Sequence, residues 1–207
     1  DTVSWQILLP DLERAYAALA DGHRPVLDPV ATPFRQWACE VAAQATDARR
    51  TGELSYWTRL LSARDPLLTL EPVDPDRDTE ATVRRVSVEV PSQVTSALLT
   101  AVPTAFHAGV DDVLLAGLAA AVGEWRVATV AAGGFLVDVE GHGRVPLSAG
   151  ADLSRTVGWF TGIHPVKLNA GAVRGTEVRE GGPAAGRVVK RVKEQLRDVP
   201  GDGLGYG

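Results

Sequence analysis

The chain has 207 residues, of which 45% are hydrophobic and 23% charged, and this globular balance excludes an intrinsically disordered or fibrous protein. Its 21 basic and 26 acidic residues give a net charge of -5, which argues against a nucleic-acid partner because basic side chains must neutralise the phosphates. The length suits one large domain or two small ones, at about 150 residues per domain.

Three further features concern the place where the protein works. The longest apolar stretch, Val127 to Val137, is shorter than the roughly 20 residues of a membrane span, so no membrane is expected. No secretory signal opens the chain and the single Cys39 cannot form an internal disulfide, which favours the cytoplasm. There is no methionine and the chain opens on Asp1, so we interpret it as a segment of a longer polypeptide.

The first predicted element is an amphipathic helix. Apolar side chains recur every three or four residues over Ser4 to Leu19, and Asp21 and Gly22 are expected to end the helix. The predicted buried face consists of Ile7, Leu8, Leu12, Ala15 and Leu19.

Two more helices are predicted before the chain changes character. One covers Phe34 to Ala45, with Thr32 as its N-cap and Pro33 as its first residue. The other covers Glu53 to Leu61. Its buried side is expected to carry Tyr56, Trp57, Leu60 and Leu61.

Prolines and acidic residues between Asp65 and Thr79 interrupt this helical pattern, since neither a helix nor a central strand tolerates them well. We place the boundary between two lobes there. Valines then alternate with polar residues over Thr82 to Val90, which predicts a strand with one polar face that Pro91 ends.

The rest of the chain mixes helices and strands. Helices are predicted over Ser92 to Phe106, Asp111 to Trp125 and Ala184 to Asp198, the last being basic and amphipathic. Strands are predicted over Val127 to Val139, with an interruption at Gly133 and Gly134, and over Trp159 to Leu168.

Neither a metal site nor a nucleotide site is indicated. The four histidines lie far apart in the sequence, Cys39 is alone, and no HExxH or CxxC pattern occurs. The terminal run Gly201 to Gly207 is unlike a dinucleotide loop, because Tyr206 stands where the last glycine belongs and no strand precedes it. We interpret this run as a loop whose backbone comes close to another part of the protein.

The run Glu140 to Arg144 directly follows a predicted strand and is the first candidate site. Glycines on both sides of His142 allow a sharp turn, so Glu140 and Arg144 are expected to face the same space. A carboxylate held at a strand end beside an apolar wall suits a general base. The alternative is a surface turn with an exposed Glu–Arg pair, and the spacing alone leaves both open.

The run Asp152 to Thr161 is the second candidate. Burial of Arg155 beside Trp159 and Phe160 is costly unless a carboxylate pairs with the guanidinium, and Asp1 and Asp152 are the expected carboxylates. The alternative is plain packing of the two aromatic rings, with the charged end of Arg155 reaching solvent.

Together these runs resemble the epimerization domain of nonribosomal peptide synthetases, a branch of the condensation-domain family. The Glu-Gly-His-Gly-Arg and Arg-Thr-Val-Gly-Trp-Phe-Thr runs distinguish epimerization domains from ordinary condensation domains. In chain order the resemblance rests on Asp1, Val3 to Trp5, Ile7 to Leu9, Phe34, Trp37, Tyr56, Trp57, Asp112 to Leu115, Glu140 to Arg144, Arg155 to Thr161, Pro165, Val166 and Pro200 to Gly207.

The resemblance implies an α/β (α+β) fold like that of chloramphenicol acetyltransferase, with two lobes and a tunnel between them. Residues 1–78 would be the mainly helical C-terminal part of the first lobe, and 79–207 a mixed sheet with helices in the second. The implied reaction inverts the Cα stereocentre, L to D, of an aminoacyl or peptidyl thioester by deprotonation and reprotonation. An upstream carrier protein would deliver the thioester on its phosphopantetheine arm, with no directly bound cofactor, and neighbouring synthetase domains are the other implied partners.

The resemblance also implies roles for single residues. Glu140 matches the catalytic glutamate, and its counterpart is the second histidine of a His-His-x-x-x-Asp motif whose last residue Asp1 resembles. Asp1 is expected in an ion pair, with Arg155 as the first partner to test and Arg144 as the second. Arg144 is also expected to orient the glutamate or the thioester. Structural roles are expected for Gly141, His142, Gly143, Trp159, Gly203 and Gly205.

The sequence departs from the family pattern at three positions, and two other functions stay open. Thr2, Val145 and His164 stand where a glycine, an acidic residue and an aromatic residue are usual. Thr2 is the one visible hint of a catalytically inactive relative that recruits carrier or tailoring proteins. A peptide-bond-forming condensation domain is the third hypothesis, which the run Glu140 to Arg144 disfavours. The isolated segment is expected to be inactive.

Overall fold

The computed structural model of the chain describes residues 1–62, 73–126 and 133–206. These residues form two compact units. The first consists of Asp1–Thr58, Asp138–His164 and Pro200–Gly207, and the second of Arg59–Val137 and Pro165–Val199. The chain therefore passes between the units several times, and the assignment of 1–78 and 79–207 to two lobes stays a prediction.

Three helices account for the first part of the chain, as predicted. They are α1, Thr2–Ala20, α2, Phe34–Gln44, and α3, Ala48–Ser62, which begins earlier than expected. The carboxylate of Asp1 caps α1 by accepting a hydrogen bond from the Val3 amide at 2.9 Å. Such a cap satisfies an amide that the helix itself leaves unpaired.

Two details of these helices differ from the prediction. Pro33, not Thr32, is the N-cap of α2. Of the predicted buried face of α1, Ile7 is 8% exposed, whereas Leu12 is 67% exposed. Burial requires a facing surface, and the buried residues of α1, Ser4 and Ile7, both lie in its N-terminal half.

The core of the first unit is aromatic. Buried Trp37 on α2 packs against buried Phe160, with ring centroids 4.7 Å apart, and buried Leu153 completes the cluster. The Trp37 indole also donates a hydrogen bond to the Val145 carbonyl at 3.0 Å. The segment 145–160 is therefore held against α2 by apolar burial and by a polar contact. Partly buried residues around this cluster are Phe34, Ala38, Val41, Leu147 and Leu204.

Strands β1, Phe135–Gly141, and β2, Gly162–Leu168, pair in a two-stranded sheet. Both correspond to predicted strands but begin later than expected, and positions 127–132 of the first predicted strand lie outside the described residues. β1 begins directly after Gly134, whose φ is +82°, and a β-carbon there would collide with the Leu168 carbonyl oxygen. The glycine interruption is therefore a close backbone approach.

The described part of the second unit contains five further helices: α4, Ser92–Leu99, α5, Ala101–Phe106, α6, Val110–Trp125, α7, Gly175–Arg179, and α8, Pro183–Arg197. Helix α8 is the predicted basic amphipathic helix, and it packs on α6. The buried residues of the two helices are Val113, Ala116, Ala119, Ala184, Val188 and Val192.

The single helix predicted over Ser92 to Phe106 is wrong, because the structure divides it into α4 and α5. The break lies at Thr100, with φ -130° and ψ -73°. Pro103 explains it, since a proline ring inside a helix clashes with the carbonyl four residues earlier, which here belongs to Leu99.

The strand predicted over Thr82 to Val90 is also wrong. Glu80–Thr82 form a 3-10 turn, and positions 83–91 have no regular structure. Alternation specifies a strand only where another strand pairs with it, and the only strands in the described ranges, β1 and β2, pair with each other. Val86 is accordingly 91% exposed.

No single helix in the described ranges is long and apolar enough to cross a membrane. Two neighbouring segments, Ser92–Phe106 and Val110–Trp125, reach such a length and composition only together, across a bend of 98°.

Candidate active site

Strand β1 of the first candidate run places Glu140 at the surface. Glu140 is exposed at the end of the strand. The chain then turns at Gly143, with φ +62°, and the Arg144 amide donates a hydrogen bond to His142 Nδ1 at 3.1 Å. This local contact is of the kind that a structural role for His142 predicts.

Gly143 lies where no other residue fits without strain. Besides its positive φ, a β-carbon at this position would collide with the Phe160 carbonyl group. We expect Gly143→Ala to lower the free energy of unfolding by about 3 kcal/mol, combining left-handed backbone strain with overpacking. Urea denaturation of the chain checks this result.

The matched control is Gly150→Ala. Gly150 also has a positive φ, +84°, but nothing lies within 4 Å of its virtual β-carbon. Gly150→Ala is therefore expected to lower the free energy of unfolding by only about 1 kcal/mol, from backbone strain alone. Equal losses for the two variants would show that the Phe160 contact does not constrain the turn.

The Arg144 guanidinium ties this turn to two other segments. One Nη2 hydrogen bond goes to Asp1 Oδ2 at 2.8 Å and the other to Ser4 Oγ at 3.1 Å. Nη1 donates to the carbonyls of Leu153, at 3.1 Å, and Thr156, at 2.7 Å. All four Nη hydrogens therefore have acceptors, and the side chain is a strut between the turn, the start of α1 and segment 153–156.

The Asp1–Arg144 ion pair is buried, and this burial affects the charge of Arg144. The side chains of Asp1 and Arg144 are each only 10% exposed, and the guanidinium lies over the Phe160 ring, 4.3 Å from its centroid. Desolvation lowers the pKa of Arg144 from its ordinary value, because burial disfavours the charged form. Asp1 supplies the compensating negative charge.

These contacts correct two expectations. The partner of Asp1 is Arg144, which was the second choice, and not Arg155. The exposed Glu–Arg pair is wrong as well, because Arg144 is only 10% exposed and no ion pair among the described residues joins it to Glu140. The carboxylate of Asp1 is already occupied by Arg144 and by the Val3 amide.

Arg155 instead belongs to a ring of four charges. It pairs with Asp11 on α1 at 2.6 Å and approaches Asp28 at 3.8 Å, and Arg14 bridges the same two carboxylates at 2.6 and 3.0 Å. No ion pair among the described residues joins Arg155 to Asp152. The Asp152 carboxylate instead accepts a hydrogen bond from the Ser154 amide at 2.9 Å, which lowers the Asp152 pKa.

This ring predicts a pH dependence. The hydrogen bond from Arg14, followed by that from Arg155, holds the Asp11 pKa below its ordinary value of 3.8. The carboxylate therefore stabilises the fold fully above pH 3.8, and this contribution is lost as the pH falls through the lower folded-state pKa. We expect Asp11→Asn to destabilise the chain at pH 7, with a smaller difference from the unsubstituted chain at pH 3.

Urea midpoints at both pH values measure this difference. Glu13→Gln, at an exposed position of the same helix, is the control and is expected to show little change. A difference for Asp11→Asn that is as large at pH 3 as at pH 7 would refute the role given to the carboxylate.

The glycine-rich end makes the predicted close approach. Pro200–Gly203 form a 3-10 turn, and a β-carbon at buried Gly203 would collide with the His164 ring. A β-carbon at Gly205 would collide with the Glu53 carboxylate. The Tyr206 ring packs against Trp57, with centroids 5.0 Å apart, so the loop lies on α3.

The described residues form no cluster of metal ligands, since no three His, Cys, Asp or Glu side chains among them come together. A largely apolar cavity of about 310 Å³ lies in the second unit, lined by residues that include Ala119, Gly123, Phe135, Leu168 and Val178. The cavity contains none of the candidate residues, all of which belong to the first unit.

The sequence does not reveal three of the polar contacts that hold the site. Ser4 bonds Gly158, Thr156 donates to the Thr32 carbonyl at 2.7 Å, and Asp11 pairs with Arg155. Each joins residues more than 100 positions apart, so local spacing carries no signal of them. Trp159, by contrast, is 68% exposed while its neighbour Phe160 is buried, so only one of the two aromatic residues follows the predicted packing.

A family model described as a condensation domain matches residues 1–207. The chain belongs to the condensation-domain family. One of the linear gramicidin synthase proteins of Brevibacillus parabrevis is 40% identical over 208 residues, which cover 100% of this chain and 2% of that protein. Bacitracin synthase 3 of Bacillus licheniformis is 31% identical over 207 residues, covering 100% of this chain and 3% of that protein.

Two solved structures of condensation-family domains are similar to this chain. The epimerization domain from the third module of tyrocidine synthetase B is 31% identical with a TM-score of 0.78, and the match covers 100% of this chain and 44% of that one. The first condensation domain of the CDA synthetase is 26% identical with a TM-score of 0.61, covering 94% and 39%. The predicted fold class is thus confirmed for a portion of such a domain.

Proposed function

We propose that this condensation-family chain is part of an epimerization domain, which inverts the Cα configuration of an aminoacyl or peptidyl thioester from L to D. The observation that carries the proposal is Glu140: an exposed carboxylate near the end of β1, directly before a turn that Gly143 and Arg144 hold in place. The likeness to a solved epimerization domain, at 31% identity, supports the same assignment.

The proposed chemistry needs one base and one acid. The Glu140 carboxylate takes the proton from Cα, and the electron pair of that C–H bond moves toward the thioester carbonyl to give an enolate. A proton delivered to the opposite face then restores the carbon with inverted configuration. One proton leaves and one arrives, so neither an oxidant nor a reductant is required. By resemblance, the second group is a histidine of the motif that ends at Asp1.

Arg144 acts in this proposal by holding the base in place. Its four Nη hydrogens are already bound to Asp1, Ser4 and two backbone carbonyls, so they are not free to stabilise an enolate. Arg144 therefore does not orient the thioester in this proposal; its ion pair with Asp1 holds the turn that follows Glu140 against the start of α1.

The proposed partners are an upstream carrier protein, whose phosphopantetheine arm carries the thioester, and neighbouring synthetase domains. Because the chain covers 44% of the solved epimerization domain, the test uses the full polypeptide that contains these residues. Its carrier is loaded with an L-aminoacyl group, and the released amino acid is separated by chiral chromatography. A mixture of L and D forms is expected, and L alone would contradict the proposal.

Peptide-bond formation is the second candidate, because the chain is also similar to a condensation domain, at 26% identity. The same assay separates the two activities when a second loaded carrier is added as acceptor. A dipeptide without loss of L configuration would favour condensation. Neither product, with a carrier that still binds, would favour an inactive platform that recruits carrier or tailoring proteins.

A further inference from the structure

The hydroxyl of Ser4 is buried in the first turn of α1 and makes three hydrogen bonds. It accepts from the Gly158 amide and from Arg144 Nη2, each at 3.1 Å, and donates to the Gly158 carbonyl at 3.0 Å. Ser4 is only 8% exposed. A hydroxyl has one hydrogen and two lone pairs, so every hydrogen-bonding capacity of this side chain is used.

Gly158 is clamped from both sides. Its amide and its carbonyl are both held by Ser4, and its α-carbon lies so close to the Phe34 ring that a β-carbon would collide with the ring. In the sequence, Gly158 lies between Arg155 and the buried Phe160. The Arg144 guanidinium lies over the Phe160 ring. One serine hydroxyl therefore connects the Asp1–Arg144 ion pair to the second candidate run.

We infer that Ser4 is a positioning residue for the epimerization reaction, an inference that rests on the proposed function. Its hydroxyl holds segment 155–160 against the start of α1 and thereby fixes the guanidinium that anchors the turn of Glu140. Neither Asp1 nor Arg144 can supply this link to Gly158, since their described hydrogen bonds go elsewhere.

Two measurements on Ser4→Ala test the inference. In the 207-residue chain, hydrogen exchange of the Gly158 amide is expected to accelerate about tenfold, because the amide loses its acceptor. In the full polypeptide, kcat for α-proton exchange is expected to fall about tenfold or more with KM unchanged, because a misplaced base slows the chemical step but not binding.

Two variants serve as comparisons. Ser4→Thr keeps the hydroxyl and is expected to recover most of kcat. Ser55→Ala removes an exposed hydroxyl that bonds only within α3, to the Gly52 carbonyl, and is expected to change neither measurement. If Ser4→Ala does not fold, Ser4→Cys, which keeps the unbranched shape of the side chain but hydrogen-bonds weakly, carries the same expectation.

The outcomes separate the inference from the proposed function. Unchanged Gly158 exchange, or an unchanged kcat in a variant whose thermal midpoint alone falls, would overturn the positioning role of Ser4. An unsubstituted polypeptide that exchanges no α-proton would overturn the proposed function, and accelerated Gly158 exchange in Ser4→Ala would then still support the link between Ser4 and Gly158.

Discussion

Replacement of Glu140 by glutamine in the full polypeptide is expected to abolish exchange of the substrate α-proton with solvent. An amide has no basic lone pair suited to remove a weakly acidic C–H proton, and loss of a general base costs about a hundredfold to ten-thousandfold in rate. Mass spectrometry of an aminoacyl carrier incubated in D2O measures this exchange as deuterium incorporated at Cα.

Folding and carrier binding are expected to survive this substitution. Glu140 is exposed, and none of the ion pairs described for the chain includes it, so glutamine breaks no ion pair among the described residues. Glu177→Gln, at an exposed position of α7, is the matched control and is expected to exchange at the unsubstituted rate. Undiminished deuterium incorporation in Glu140→Gln would remove Glu140 from the reaction.

Replacement of Arg144 by methionine is expected to have the largest effect on stability, lowering the free energy of unfolding by about 3 to 5 kcal/mol. Methionine keeps an apolar stem but leaves the Asp1 carboxylate buried without its cation. The carbonyls of Leu153 and Thr156 lose the hydrogen bonds that the Arg144 guanidinium donates to them. Urea denaturation of the 207-residue chain measures the change.

Arg179→Met is the control for loss of an ion pair as such. Arg179 pairs with Glu124 in the second unit, but the two side chains are 62% and 40% exposed. Solvent screens such a pair, so its loss is expected to change the free energy of unfolding much less than the loss of Arg144 does. Similar small losses for both variants would mean that the Arg144 strut does not hold the first unit together.

Periodicity predicts a helix best where one face of that helix is buried along its length, as in α8. The valines of α8 at positions 188 and 192 lie four residues apart and are both buried. The same reasoning fails for the face of α1 and for the strand over Thr82 to Val90, since both patterns need a facing surface that local sequence does not specify.

The candidate site follows a similar division. The resemblance selects the run Glu140 to Arg144 and the Asp1 ion pair, but it prefers Arg155 over Arg144 as the partner. Two arginines near two carboxylates give several possible pairings, and sequence spacing does not rank them. Three-dimensional distances do, because Asp11 lies on α1 within 2.6 Å of Arg155 and leaves Asp1 to Arg144.

The stereochemical course of the reaction in D2O tests the central claim most directly. The unsubstituted full polypeptide is incubated with a carrier that bears an L-aminoacyl group, and the configuration and deuterium content of the released amino acid are measured together. The epimerization account predicts that part of the amino acid is released in the D form, with one deuteron at Cα. Amino acid that stays L and carries only protium at Cα, on a carrier that the polypeptide binds, would contradict it.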